Sequence, residues 1–236
     1  MEPLHIIDVA RESWMVGPFE FKSGDESARF HHISTDEVYG SLGEEGFFSE
    51  ESPIAPNSPY SASKTSSDMI VRGYFHTFRM NVVTTNCFKN YGLRQHLEKL
   101  IPTIIRKALA EEEIPIYGDG KNVRDWLYVD DHVQAIDLVF HKGRSGETYY
   151  IGGNNEKTKI EIAHEICDAL AREKPRTKGS YKDLVSFVKD RPGHDKRYAI
   201  DATKIEKKLE WRQGERFSSG ILKVVGYYLS ELNSDN

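Results

Sequence analysis

Two clusters of side chains have the residue types and spacing for proton transfer. The first is Ser34-Thr35-Asp36-Glu37, hydroxyls followed by two adjacent carboxyls. Carboxyls in unequal surroundings can divide acid and base work between them. The second is Tyr60 and Lys64, four apart on a stretch that reads as helix, so that they share one face. A phenol titrates near pH ~10, and an adjacent cation lowers that by roughly one to three units. Such a tyrosine can exchange a proton with a sugar hydroxyl while a nicotinamide carries the hydride. Spacing alone is weak support, because chance supplies about one Tyr-x-x-x-Lys pair in a chain of this composition. The sequence holds a second pair, Tyr117 and Lys121, in a glycine loop that cannot hold a helical face. Asp36-Glu37 taken alone fits an exposed turn better than a catalytic pair. The surroundings add weight: Asn57-Ser58-Pro59 opens the helix, and Ser61, Ala62 and Ser63 are small enough for close approach of a cofactor.

The elements that must position these groups follow from periodicity. Ile6, Ile7, Ala10 and Trp14 lie at helical spacing, so Leu4 to Trp14 is expected to be an amphipathic helix, followed by a polar connector from Phe19 to Ser27. Arg29 to Ser34 is a short β-type run that delivers Thr35-Asp36-Glu37 to its C-terminal end, where open α/β sheets bind ligands. A Pro-rich acidic loop separates it from a helix over Tyr60 to about Arg79, and β-branched residues mark a strand over Asn81 to Phe88. Further helices are expected over Glu98–Glu113, Asp130–Phe140, Thr158–Arg172, Asp201–Leu209 and Phe217–Leu232, with strands at Ile114–Tyr117 and Glu147–Ile151. This alternation predicts an α/β protein with a largely parallel sheet. Two units are expected: residues 1–92 with the catalytic groups and 93–236 as a smaller lobe, with about 125–151 packing back on the first.

Composition narrows the function. The formal net charge of −5 comes with no basic block, which argues against a nucleic-acid binder. No stretch approaches the ~18 apolar residues of a membrane span, and no signal peptide is visible, so a cytoplasmic protein is expected. Cys87 and Cys167 sit in apolar surroundings as free thiols. His31 and His32 point to opposite faces of a strand and no metal site is expected, while Trp126 and Trp211 are expected to pack. Gly40-Ser-Leu-Gly43-Glu-Glu-Gly46 matches a dinucleotide-loop pattern on paper. It stands well past the strand, with two carboxylates where phosphates would lie, so it is not expected to bind them.

Longer motifs carry a resemblance. HHISTDEVYG (31–40), PNSPYSASK (56–64), EKLIP (98–102), PIYGDG (115–120), VRDWLYVDDH (123–132), GETYYIGGNNE (146–156) and DRPGHDKRYAID (190–201) are similar to the dTDP-glucose 4,6-dehydratases, which are extended short-chain dehydrogenases/reductases. The resemblance runs over essentially the whole chain from Leu4. It implies a Rossmann-type parallel sheet, incomplete here, with a smaller C-terminal α/β substrate-binding lobe, and NAD as cofactor. It further implies that Tyr60 deprotonates the glucose C4 hydroxyl, Lys64 holds the cofactor ribose, and Thr35 hydrogen-bonds the reacting hydroxyl. Glu37 would remove the C5 proton, and Asp36 would protonate the departing C6 hydroxyl. Asn90 would lie near the nicotinamide. Contacts to the sugar nucleotide would fall on Lys99, Leu100, Pro115, Ile116, Tyr117, Arg124 and the loop Asp190, Arg191, Pro192, Gly193 and His194.

The sequence also departs from that pattern. Lys89 and Lys159 stand where the family has ligand-facing asparagines, and Leu93, His96 and Leu97 interrupt a turn before Glu98. The family's opening strand, glycine-rich turn and ribose-binding acid have no counterpart, which implies that roughly a hundred residues are missing, at ~30 per βα unit. The sheet is then expected to expose an apolar edge and to half-cover Phe30 and Ile33. The chain alone is expected to bind NAD weakly or not at all and not to convert dTDP-glucose. Alternatives are a remnant that binds a sugar nucleotide or an intact homologous partner, and another nucleotide-sugar dehydratase or epimerase. A homodimer through helices is a further expectation of the family.

Overall fold

A computed structural model of the chain describes residues 2–87, 89–190 and 197–234. Helix α1 (Glu2–Trp14) leads into a hairpin of β1 (Met15–Gly17) and β2 (Glu20–Phe21), then β3 (Phe30–Thr35), α2 (Pro59–Phe78), β4 (Val82–Cys87) and β5 (Lys89–Tyr91). There follow α3 (Leu100–Leu109), β6 (Ile114–Tyr117), β7 (Val123–Tyr128), α4 (Val129–Lys142), β8 (Thr148–Ile151) and β9 (Glu156–Thr158). The chain closes with α5 (Lys159–Glu173), β10 (Val185–Val188), α6 (Thr203–Leu209) and α7 (Phe217–Ser234).

The central sheet has the order β3-β4-β8, all parallel, with Ser34 opposite Asn86 and Asn86 opposite Tyr150. Strand β8 joins this sheet although it lies far along the chain, which carries residues after 92 back onto the first unit. Helix α2 covers one face and α4 the other; β-branched residues at Val82, Val83, Thr84 and Thr85 suit a strand buried on both faces. A second core lies among α3, α5, α7 and the strands β6 and β7, built on Ile101, Ile105, Ile116, Ile166 and Val224. Trp126 is buried there against Tyr91 and Phe217, and Trp211 packs in the α4–β8 core. Both cysteines are buried thiols that form no disulfide.

Several details differ from the sequence expectations. Helix α1 forms, but Ile6 is exposed while Ile7 is fully buried. Adjacent helical positions lie ~100° apart, and the stripe Ile7, Ala10, Trp14 is the one that meets α2. Within the supposed connector Phe19–Ser27, Glu20–Phe21 forms β2 and pairs back on β1, which precedes it. Strands β5, β7, β9 and β10 were not legible as separate runs. The helix expected over Glu98–Glu113 is limited to Leu100–Leu109. Asp201 does not serve as the N-cap of α6, which is Ala202, but its carboxylate accepts the Thr203 N–H. Strand β3 is lateral in its sheet, Phe30 is half-buried, and Ile33 is 48% exposed, as the expected apolar edge requires.

Candidate active site

The carboxyl pair is set by the end of β3. After Thr35 the backbone turns at once into a 3-10 turn over Asp36–Tyr39, with the Thr35 hydroxyl accepting the Glu37 N–H. The same hydroxyl donates to Asp36 Oδ1 at 3.2 Å. Fully buried Asn86, next door on β4, donates its amide to the Thr35 carbonyl at 2.8 Å and so ties the turn to the sheet. The turn ends at Gly40, whose φ of 83° and close approach to the Ala55 carbonyl leave no room for a Cβ. The glycine string Gly40–Gly46 therefore belongs to a loop beyond this turn and not to a strand-to-helix phosphate cradle.

The two carboxyls have different surroundings. Asp36 is buried, its Oδ2 meets no hydrogen-bond donor among the described residues, and burial pushes its carboxyl up to about 7. The Lys89 ammonium opposes that rise, and Glu37 adds to it. Glu37 is half-buried and pairs with Lys89 at 3.5 Å. At neutral pH, Asp36 thus holds a proton in a substantial fraction of molecules, the condition for an acid beside a base.

Helix α2 brings the second cluster to the same place. Ser58 caps it by accepting the Ser61 N–H, and Pro59 occupies the first turn, where a missing N–H costs nothing. Tyr60, Lys64 and Asp68 follow at intervals of four and form one stripe facing β3. Asp68 Oδ1 accepts from Ser34 Oγ at 2.6 Å and from His32 Nε2 at 2.8 Å, all three residues being buried. Because a carboxylate only accepts, His32 carries its proton on Nε2. Asp68 was missed from sequence; its place one turn beyond Lys64 on the same face was the available signal.

Tyr60 is 56% exposed, and its hydroxyl is held above the ordinary phenol range by partial burial and then by the Glu37 and Asp36 charges. This corrects the expected lowering by Lys64. The Lys64 ammonium instead donates to the Ile33 carbonyl at 3.3 Å, at the end of β3. Asn90 is engaged from two sides, donating to His132 Nδ1 at 2.9 Å and accepting from Cys87 Sγ at 3.3 Å. His132 is pushed down to about 4 by burial, and its Nε2 has no partner among the described residues.

The residues expected to hold the nucleotide lie in the other lobe. Lys99 is exposed at the start of α3, and Leu100 is half-buried against the core. On β6, Pro115 is half-buried and Tyr117 exposed, whereas the Ile116 side chain points into the core, leaving its backbone as the only group it can offer a ligand. Strand β10 pairs with β6 in parallel, Val188 opposite Tyr117, and brings Asp190 beside Gly118. Arg124 is buried, with its guanidinium over the Tyr198 ring at 4.5 Å and one N–H donated to the Val123 carbonyl. Arg191, Pro192, Gly193 and His194 lie outside the described residues. Among the described residues no group of three His, Cys, Asp or Glu could hold a metal ion, and no helix is long and apolar enough to cross a membrane.

A parallel α/β sheet thus ends in a hydroxyl and two carboxyls, faced by a helix that carries Tyr60 and Lys64. The chain belongs to the GDP-mannose 4,6 dehydratase family, whose model matches residues 2–224. It is 50% identical over 228 residues to dTDP-glucose 4,6-dehydratase of Xanthomonas campestris pv. campestris, covering 96% of this chain and 64% of that protein. With the dTDP-glucose 4,6-dehydratase of Haemophilus influenzae the identity is 48% over 233 residues, covering 97% and 68%. The crystal structure of dTDP-glucose 4,6-dehydratase from Bacillus anthracis in complex with NAD superposes with a TM-score of 0.80 at 48% identity, over 87% of this chain and 63% of that one. A UDP-glucuronic acid 4-epimerase from Bacillus cereus, in complex with UDP-glucuronic acid and NAD, shares the fold at 27% identity and a TM-score of 0.75, over 86% and 62%. The chain thus spans about 64% of the length of the first of these curated relatives.

Proposed function

We propose that this chain carries the acid–base apparatus of a dTDP-glucose 4,6-dehydratase, acting on dTDP-glucose or a related sugar nucleotide. The observation that carries the reading is the unequal carboxyl pair, a buried Asp36 pushed up to about 7 beside a Glu37 matched with a lysine. In its phenolate form, which the Lys64 ammonium and the positive ring of bound NAD would favour against the neighbouring carboxyls, Tyr60 takes the proton of the C4 hydroxyl, to which Thr35 donates or accepts a hydrogen bond. Once C4 is a ketone, the C5 proton is acidic and Glu37 removes it. Asp36 gives its proton to the C6 oxygen, which leaves as water. An epimerase needs no acid and base for water loss, so the pair favours the dehydratase.

The groups present fit one end of an NAD molecule: the exposed Tyr60 hydroxyl, the Lys64 ammonium, the small residues Ser61 to Ser63, and Asn90. Bound NAD supplies the acceptor and later donor of a hydride, together with the positive charge of its oxidised ring. Residues 1–92 are read as the catalytic unit and 93–236 as the nucleotide-sugar lobe, with Lys99, Leu100, Pro115, Ile116, Tyr117, Arg124 and the 190–194 loop toward the ligand.

The test uses the step that belongs to the chain alone. Given dTDP-4-ketoglucose in deuterated water, the protein is expected to exchange the C5 proton, followed by NMR. Glu37→Gln should slow exchange by about 10²-fold or more. Exchange equal in wild type and Glu37→Gln would overturn the assignment.

A further inference from the structure

Lys89 is the feature of this site that the proposed chemistry does not use. It sits on β5, half-exposed, with its ammonium 3.5 Å from Glu37 Oε1. The neighbouring carboxyl, Asp36, is buried, has one oxygen on the Thr35 hydroxyl, and leaves the other without a donor. One cation therefore serves two adjacent carboxyls and bonds only one of them. Resting on the dehydratase reading, we propose that Lys89 is a positioning residue that tunes the pair, holding Glu37 to β5 and easing release of the proton that buried Asp36 carries.

Beside the hydrogen bonds from the Thr35 hydroxyl and its own backbone N–H, four titratable groups bear on the Asp36 proton: Lys89 from β5, Glu37 from the same turn, Tyr60 from α2 and Tyr150 from β8. Only Lys89 is a cation, and it alone among them opposes protonation. Removing its charge while keeping a polar side chain therefore strengthens the hold of Asp36 on its proton. Removing Glu37 acts in the opposite direction, because a like charge disappears.

The experiment follows the Asp36 carboxyl by carbon NMR across pH, with Asp36→Asn used to assign the signal, and needs no turnover. Wild type is expected to titrate at about 7. Lys89→Gln should move the midpoint up by about one unit, the low end for a charge this close. Lys89→Arg should hold it near the wild-type value, and Glu37→Gln should move it down. An unchanged midpoint in Lys89→Gln, or equal shifts in the Gln and Arg variants, would overturn the proposal. Because Lys89 is half-exposed, both variants are expected to keep the wild-type melting temperature. C5 exchange on the same proteins reports separately on the dehydratase reading, so loss of exchange with the Asp36 shifts intact counts against that reading alone.

Discussion

Asp36 shows how a residue's chemistry is made by its position and not its type. A carboxyl normally gives up its proton near pH ~4, and burial at the end of β3 moves that to about 7. The rise has a consequence for stability. Below about pH 4 Asp36 is protonated folded or unfolded, and it adds no pH dependence. Between there and about 7 only the unfolded chain releases the proton, so stability falls as pH rises. Asp36→Asn is therefore expected to stabilise the protein at pH 8, by on the order of 2 kcal/mol, and to change little at pH 4. His31 and His132 work the other way. Burial pushes both down to about 4, so they contribute stability above the ordinary histidine range that is lost as pH falls from ~6.5 toward 4. Urea titrations across pH should show that acid loss, and it should be deeper in Asp36→Asn, where the opposing contribution is gone. A shallower acid loss in that variant would contradict the assignment.

At the scale of elements, the site depends on the fit of α2 to β3. Tyr60 stands near the carboxyl pair and Lys64 reaches the Ile33 carbonyl because Asp68, on the same stripe, holds the helix to His32 and Ser34. Asp68→Ala leaves two buried donors without an acceptor and is expected to cost about 2–4 kcal/mol in urea unfolding. Asp68→Asn keeps an acceptor and should cost about 1 kcal/mol. Equal losses in the two variants would mean that packing, not the hydrogen bonds, sets the contact. The order of these elements was largely legible. Helices α1 and α2 and strands β3, β4, β6 and β8 declare themselves by apolar period, β-branched runs and a Ser-Pro cap. The missed strands β5, β7, β9 and β10 are three to six residues long and are held by partners distant in sequence, such as Val185 opposite Ile114 and Asp125 opposite Glu156. Runs so short carry no period of their own.

At the scale of the molecule, the groups proposed for catalysis lie on the β3-β4-β8 sheet and α2, and those proposed to contact the nucleotide lie on the strands and helix around the second core. Strand β3 is lateral and presents Ile33 to solvent, with the Lys64 ammonium on the Ile33 carbonyl. Among the described residues no glycine turn joins a strand directly to a helix in the way a pyrophosphate requires.

The identities and spacings of Thr35, Asp36, Glu37, Tyr60 and Lys64 come from the sequence alone, as do the α/β class and the family motifs. Chemistry-bearing residue types and local periodicity are written residue by residue, so they survive reading in one dimension. Tertiary structure alone decided that Asp36 is the buried carboxyl and Glu37 the lysine-paired one, and that Lys64 reaches a backbone carbonyl. It also decided that Asp68 anchors the helix and that Ile116 faces the core. Each of these depends on which groups water can reach and which charges stand within a few ångströms, and those distances are set by contacts between segments tens of residues apart.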